Sequence, residues 1–220
     1  FTQEDLDDDL YGVLIKVSKE LPKTITRRVE SVNAGNVASV FSTTTGFDGL
    51  SLCNTAHTFP NGRQDAITGA NTWSNRLAVD SALSPESLTS LMVMLAKQKS
   101  REGFPVDLEP DTLLLPPDLM PRASQIVKSM YQPFTDTNEV GNFGPGGIYK
   151  LKLVEWKWLP STTMYMILDS KNTPFYHYWR ERPFFNKETD YNSRVQKFTC
   201  GARFSAGASE PRGFAATPGA

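Results

Sequence analysis

Cysteine and histidine are scarce: the 220-residue sequence holds two of each. Two cysteines, Cys53 and Cys200, make no disulfide framework, so a reducing cytoplasmic origin is the default. An excess of one charge is also lacking. Lys and Arg number 23 against 24 Asp and Glu, a net charge of −1, and nothing global points to nucleic acid or an anionic membrane. No apolar run approaches the roughly 18 residues of a membrane span, so no membrane partner is expected. There is no internal repeat. Punctuation, by contrast, is plentiful: 15 glycines and 15 prolines predict many connections. At this length the chain can bury a core, as one large domain or two small ones.

The most organised stretch is the first. Leu6, Leu10, Val13, Val17, Leu21, Ile25, Val29 and Val32 recur at steps of three and four. This predicts an amphipathic helix from Phe1 to roughly Phe41, a rod on the order of 60 Å long. Thr2 fits an N-cap with Asp5 three residues on. Pro22 is expected to kink or split the rod, and Gly35 to weaken its end. Glu4, Asp5, Asp7, Asp8 and Asp9 crowd the start, followed by Lys16, Lys19, Lys23, Arg27 and Arg28. A solvated helix with charges matched to its dipole accounts for this order. So does contact between acidic and basic segments of neighbouring copies, which makes Asp7, Asp8, Asp9, Arg27 and Arg28 candidate subunit-interface residues.

Residues 42–80 are rich in Thr, Ser, Asn and Gly and read as a long ordered loop with one short strand near Leu50–Leu52. Ser84-Pro85 opens a helix running to about Ser100, with Leu88, Leu91, Met92 and Leu95 inward. Thr112–Leu115 is apolar and bounded by prolines, hence a buried strand. Pro117-Asp118 starts a helix to about Met130, with Leu119, Ile126, Val127 and Met130 inward. A turn-rich loop at Gly141–Gly147 leads into strands at Ile148–Leu159, Thr163–Leu168 and Pro174–Trp179. The last strand sets Phe198, Cys200, Ala202 and Phe204 against Lys197, Thr199 and Arg203. The tail from Ala206 to Ala220, small and polar, reads as an extended arm. The class is α+β with segregated elements.

Reaction chemistry is thin. Cys53, His57, His177 and Cys200 are zinc-type ligands, but no CxxC or HxxxH pairing organises them. Cys53 as nucleophile with His177 as base fits the inventory of a cysteine-dependent hydrolase, though no nucleophile elbow is present. Gly144–Gly147 lacks the Gly-Lys-Ser/Thr of a phosphate loop. Phe175, Tyr176, Tyr178, Trp179, Phe184 and Phe185 surround Arg180 and Arg182. Such a cluster suits single-stranded nucleic acid or a protein interface. The chain as a whole is not basic, which favours the interface and adds Arg180 and Arg182 to the candidates. No cofactor, metal or catalytic residue is expected.

Several stretches resemble the major capsid proteins of tailed phages, in the Mu-like major head subunit group. They are Asp8-Asp9-Leu10-Tyr11-Gly12-Val13, Thr26-Arg27-Arg28-Val29, Gly46-Phe47-Asp48-Gly49-Leu50, Leu52-Cys53-Asn54-Thr55-Ala56-His57, Asn75-Arg76-Leu77, Leu83–Leu88 and Asp111–Leu119. Cys53 and Thr58 depart mildly from the group's pattern. The resemblance implies a Hong Kong 97-type capsid fold. Residues 1–78 would form the spine helix of the peripheral domain and its following loop. Residues 79–172 would form an axial-type domain, and 173–220 the strands returning to the peripheral domain plus a C-terminal arm. In such proteins an N-terminal arm and an extended two-stranded loop precede the spine, and Phe1 stands where the spine starts, so residues upstream are expected. The function implied is self-assembly into pentamers and hexamers of an icosahedral shell around double-stranded DNA, contacted without sequence specificity. The other implied partners are scaffold, portal or decoration proteins. The implied location is the virion, after synthesis in the bacterial host cytoplasm.

Overall fold

The structure is a computed structural model that describes residues 1–129, 141–144 and 147–220. Met130, Pro145 and Gly146, for which the sequence carried expectations, lie outside the described residues. The chain divides into two units: Phe1–Asn33 with Tyr176–Gly207, and Ala34–Phe175 with Ala208–Ala220.

The second unit is built on a four-stranded sheet in the order β4 (Lys152–Glu155), β3 (Thr112–Leu115), β5 (Tyr165–Leu168), β8 (Phe214–Thr217). β3 and β4 are parallel, and the other pairs are antiparallel. Both faces are covered, so the strands read as continuous apolar runs rather than alternating ones. Leu113, Leu115, Tyr165, Ile167 and Ala215 face one core with α3 (Pro85–Ala96) and α4 (Met120–Lys128). Leu114, Met164, Met166, Phe214 and Ala216 face another with Val37, Val40, Leu52 and Cys53. A single strand thus serves two cores through the period of two.

Helix α3 forms as its sequence dictates. The Ser84 hydroxyl accepts from the Ser87 amide at 3.1 Å, and the Ser84 amide donates back to the Ser87 hydroxyl at 3.0 Å. Pro85 fills the first position, where no N–H is needed. Leu88, Leu91, Met92 and Leu95 are buried as expected. The helix ends at Ala96, short of Ser100, because the next side chain turns to another task. Gln98, 1% exposed, donates to the Phe214 carbonyl at 2.8 Å and accepts from the Gly213 amide at 2.9 Å.

That contact corrects the reading of the tail as an extended arm. Phe214–Thr217 is a buried strand. Ala215 faces the core that β8 shares with α3, where low side-chain volume, not polarity, suits the approach. Gly213 leads in with φ +84°, and a Cβ there would sit 2.1 Å from the Asn172 carbonyl oxygen, so only glycine fits.

The first unit holds α1 (Gln3–Asp7), most of α2 (Val13–Ala38) and a hairpin of β6 (Phe175–Thr189) and β7 (Gln196–Ala208). The expected single rod is two helices. Gly12 takes φ +63°, and the Asp9 carboxylate accepts from the Leu14 amide at 2.8 Å, so the acidic run caps a new helix instead of continuing the old one. α2 runs through Pro22 unsplit and spans about 39 Å at the helical rise. The stripe holds from Leu21 onward, where Leu21, Ile25, Val29 and Val32 are half-buried. Leu10, Val13 and Val17 are exposed. In the 42–80 loop the short strands are β1 (His57–Thr58) and β2 (Thr72–Trp73), paired antiparallel, and only a single bridge, Thr45 to Ser51, touches the expected 50–52 strand.

Phe214 is fully buried. Phe214→Ala is expected to destabilise the protein by about 3–5 kcal/mol in urea unfolding. A change within about 0.5 kcal/mol, as for a surface arm, would contradict β8 as a core strand.

Candidate functional site

Two features stand out: a buried polar network that ties down the 42–80 loop, and an open ribbon in the first unit.

The network centres on Asn75, which is fully buried. Its Nδ2 donates to the carbonyls of Leu52 at 2.6 Å and Pro211 at 2.7 Å. Its Oδ1 accepts from the Asn54 amide at 2.8 Å and faces His57 Nε2 at 3.2 Å. The other ring nitrogen of His57 meets Asp48 Oδ2 at 2.7 Å, with both side chains sealed from solvent. His57 stacks on Trp73 at 4.7 Å, and Arg212 lies over the Trp73 ring at 5.0 Å and the Phe47 ring at 5.3 Å. The backbone joins in, since the Ala216 amide donates to the Asn75 carbonyl at 3.0 Å. Three of the motifs quoted above, around Asp48, His57 and Asn75, therefore meet at one place and hold β8.

Cys53 sits beside this network with no exposure, its Sγ 3.7 Å from the Asn75 carbonyl oxygen and 3.6 Å from that of Ala216. Burial pushes its thiol well above the ordinary range, the opposite of an activated nucleophile. His177 Nδ1 lies 3.3 Å from Asn33 Oδ1 and its ring packs on Trp179 and Phe204. Among the described residues no group of three or more His, Cys, Asp or Glu side chains is placed to hold a metal. No described helix is long and apolar enough to cross a membrane.

The ribbon sorts the aromatic cluster into two faces. His177, Trp179, Phe185, Phe198 and Phe204 share the face that carries ring contacts, including Phe185 on Phe198 at 6.1 Å. Strand alternation sends Tyr176, Tyr178, Arg180, Arg182 and Phe184 to the other face. All five are exposed, and Tyr176 stacks on Tyr178 at 5.9 Å. Phe184 covers Gly201, which puts Arg203 on the same outer face. The sequence recognised the cluster but treated it as one surface, because composition alone does not assign faces.

The predicted interface residues are dispersed. Asp7 lines a groove of about 390 Å³ with Leu6, Ile15, Phe185, Lys187 and Phe198. Asp8 is exposed at the end of α1, and Asp9 caps α2, its carboxyl held below the ordinary value by the Leu14 amide. Arg27 and Arg28 are exposed on α2, and Arg180 and Arg182 on the ribbon. No ion pair to any of these four arginines occurs among the described residues. In the whole first unit, Ser18 is the only buried residue among those described.

A sequence model of the family described as phage capsid protein matches residues 1–217. The chain belongs to the phage capsid protein family. It is therefore a structural protein of the virion shell. No curated protein matches the chain. Among solved structures it is similar to a virus-like particle from Pyrococcus furiosus, with 12% identity and a TM-score of 0.41 over 86% of this chain and 63% of that one. The chain thus spans less than two thirds of that neighbour's length, and the family assignment rests on the match over residues 1–217.

In this capsid chain, Asn75→Ala leaves the Leu52 and Pro211 carbonyls and the Asn54 amide without their partner. The expected cost is about 3 kcal/mol or more in urea unfolding, with faster amide exchange at residues 52–54. An unchanged midpoint would show that the network is dispensable. Cys53 is expected to resist alkylation at pH 8 in the folded protein and to react once unfolded. Rapid labelling at Cys53 itself, read in a Cys200→Ser background because Cys200 is only half-buried, would contradict its burial.

Proposed function

We propose that the chain is a major head subunit of the Mu-like group with a Hong Kong 97-type fold, assembling into pentamers and hexamers of an icosahedral shell around double-stranded DNA. The observation that carries this reading is the lack of a core in the first unit. A helix and a two-stranded ribbon whose described residues are almost all partly or fully exposed gain little from their own packing. Leu10 at 91%, Tyr11 at 81% and Tyr178 at 64% exposure are surfaces that a neighbouring copy would cover. A subunit held by many neighbours gains by multivalency even where each contact is modest, and heterologous contacts that close by rotation give rings.

In this reading α2 is the spine, and residues 1–78 supply it and its loop to the peripheral domain. Residues 79–172 build the axial-type domain, and within 173–220 the ribbon strands β6 and β7 return to the peripheral domain, while β8 stays in the sheet of the second unit. The grouping of Tyr176–Gly207 with Phe1–Asn33 in one unit supports that return. Arg27 and Arg28, exposed and in no salt bridge among the described residues, serve contact between copies. DNA is met electrostatically and without sequence preference through inward-facing Lys and Arg. Scaffold, portal or decoration proteins are the further partners, and synthesis takes place in the host cytoplasm.

The full-length parent chain, expressed with its assembly partners, is expected to sediment as megadalton particles that show polyhedral outlines by electron microscopy. Monomers or dimers alone under those conditions would overturn the proposal.

A further inference from the structure

The outer face of the ribbon is a strongly charged surface for which the chain also carries a complement. Its core is Arg180 and Arg182, flanked by Tyr178 and Phe184, with Arg203 beside them. Among the described residues no carboxylate pairs with Arg180, Arg182 or Arg203. The complement is at α1, where residues 1–9 hold five acidic side chains and no basic one. Asp5 is engaged by the Thr2 cap and Asp9 by the Leu14 amide. Glu4 and Asp8 remain exposed and in no salt bridge among the described residues. They are one helical turn apart on one face, about 6 Å. Alternate residues on a strand, as Arg180 and Arg182 are, stand about 7 Å apart. The two pairs match in sign and in spacing.

Within one copy they do not meet. α1 lies along the opposite side of its own ribbon, where Leu6 and Asp7 share a groove with Phe185, Lys187 and Phe198. Thr2 bridges to Val195 at the ribbon's edge. We propose that the outer face of the β6–β7 ribbon seats α1 of a second copy, with Arg180 and Arg182 pairing with its Glu4 and Asp8. Leu10 and Tyr11, exposed just beyond α1, then lie against the aromatic rings that flank the arginines. The contact is head-to-tail, each copy giving α1 to one neighbour and its ribbon to another, so it propagates or closes into a ring. It rests on the assembly reading above and names a surface for it. A polyanion is the competing occupant of an Arg-Tyr-Phe face. The net charge of −1 and the acidic segment in the same chain favour the second copy.

The test is a charge exchange in the full chain, read by sedimentation velocity as self-association of any size. Arg180→Glu with Arg182→Glu is one variant, and Glu4→Lys with Asp8→Lys the other. Both sites are exposed, and circular dichroism and melting temperature check that each variant folds like the wild type. Each alone is expected to lose association by about tenfold or more, and an equal mixture to recover most of it, since each then supplies what the other lacks. Folded variants that associate like the wild type, or a mixture no better than either alone, overturn the contact. Normal particles from the arginine variant that carry less nucleic acid by absorbance at 260 nm assign the face to a polyanion and also overturn it. Wild-type rings or small oligomers that obey the exchange uphold the contact while counting against the closed shell. A wild-type chain that stays monomeric overturns both.

Discussion

A buried polar group must find partners or carry the cost of its lost hydration, and the second unit is arranged around that constraint at Asn75. The 42–80 loop makes local backbone bonds, such as the Leu52 amide to the Thr44 carbonyl, but the Leu52 carbonyl and the Asn54 amide find their partner in a side chain. One side-chain amide takes the carbonyls of Leu52 and Pro211 and the amide of Asn54, and aligns His57 against Asp48. Because Pro211 and Ala216 belong to the same set of contacts, the network that orders the loop also positions β8. Gln98 grips that strand from the α3 side. Loop, sheet edge and helix end are therefore mutually dependent, and a polar knot does there what a regular ladder does elsewhere.

The first unit follows a different economy. It has helix, ribbon and aromatic side chains in abundance, yet Ser18 is its only buried residue among those described. Among the described residues the buried apolar clusters lie in the second unit, whose sheet is covered on both faces. For a phage capsid protein this division is coherent. One unit supplies a folded body, and the other offers surface whose burial awaits neighbours. Rings on one face of the ribbon pack against each other, while the opposite face keeps its arginines and tyrosines in solvent.

Much of the local structure was legible. The Ser84 cap, the apolar run Thr112–Leu115 and the alternation of Phe198 to Phe204 each carry their instruction within a few residues, and each is realised. Other signals misled. The stripe from Leu6 to Val32 implied one helix, but a period cannot register that Asp9 gains more by capping than by continuing. The tail looked like an arm because Ala215 and Ala216 are small, and hydrophobicity counts small residues as weak. Where Ala215 meets the α3 side of the core, small size is the qualification. The motif fragments at Asp48, His57 and Asn75 were visible as a family pattern, but nothing local says that they touch.

The sequence by itself determined the class of elements, the alternation of the last strand, the balance of charge and the kinship with phage capsid proteins, because these follow from spacing, composition and motif order along the chain. Only the tertiary structure decided that the tail is a core strand and that three separated motifs form one network. It likewise decided that Asp9, among the charged candidates, is spent on a cap while the arginines stay at the surface. These outcomes depend on distances between residues up to 163 positions apart, as in Cys53 with Ala216. Hydrogen-bond satisfaction and packing volume operate on such distances, and neither is written in any local stretch of the chain.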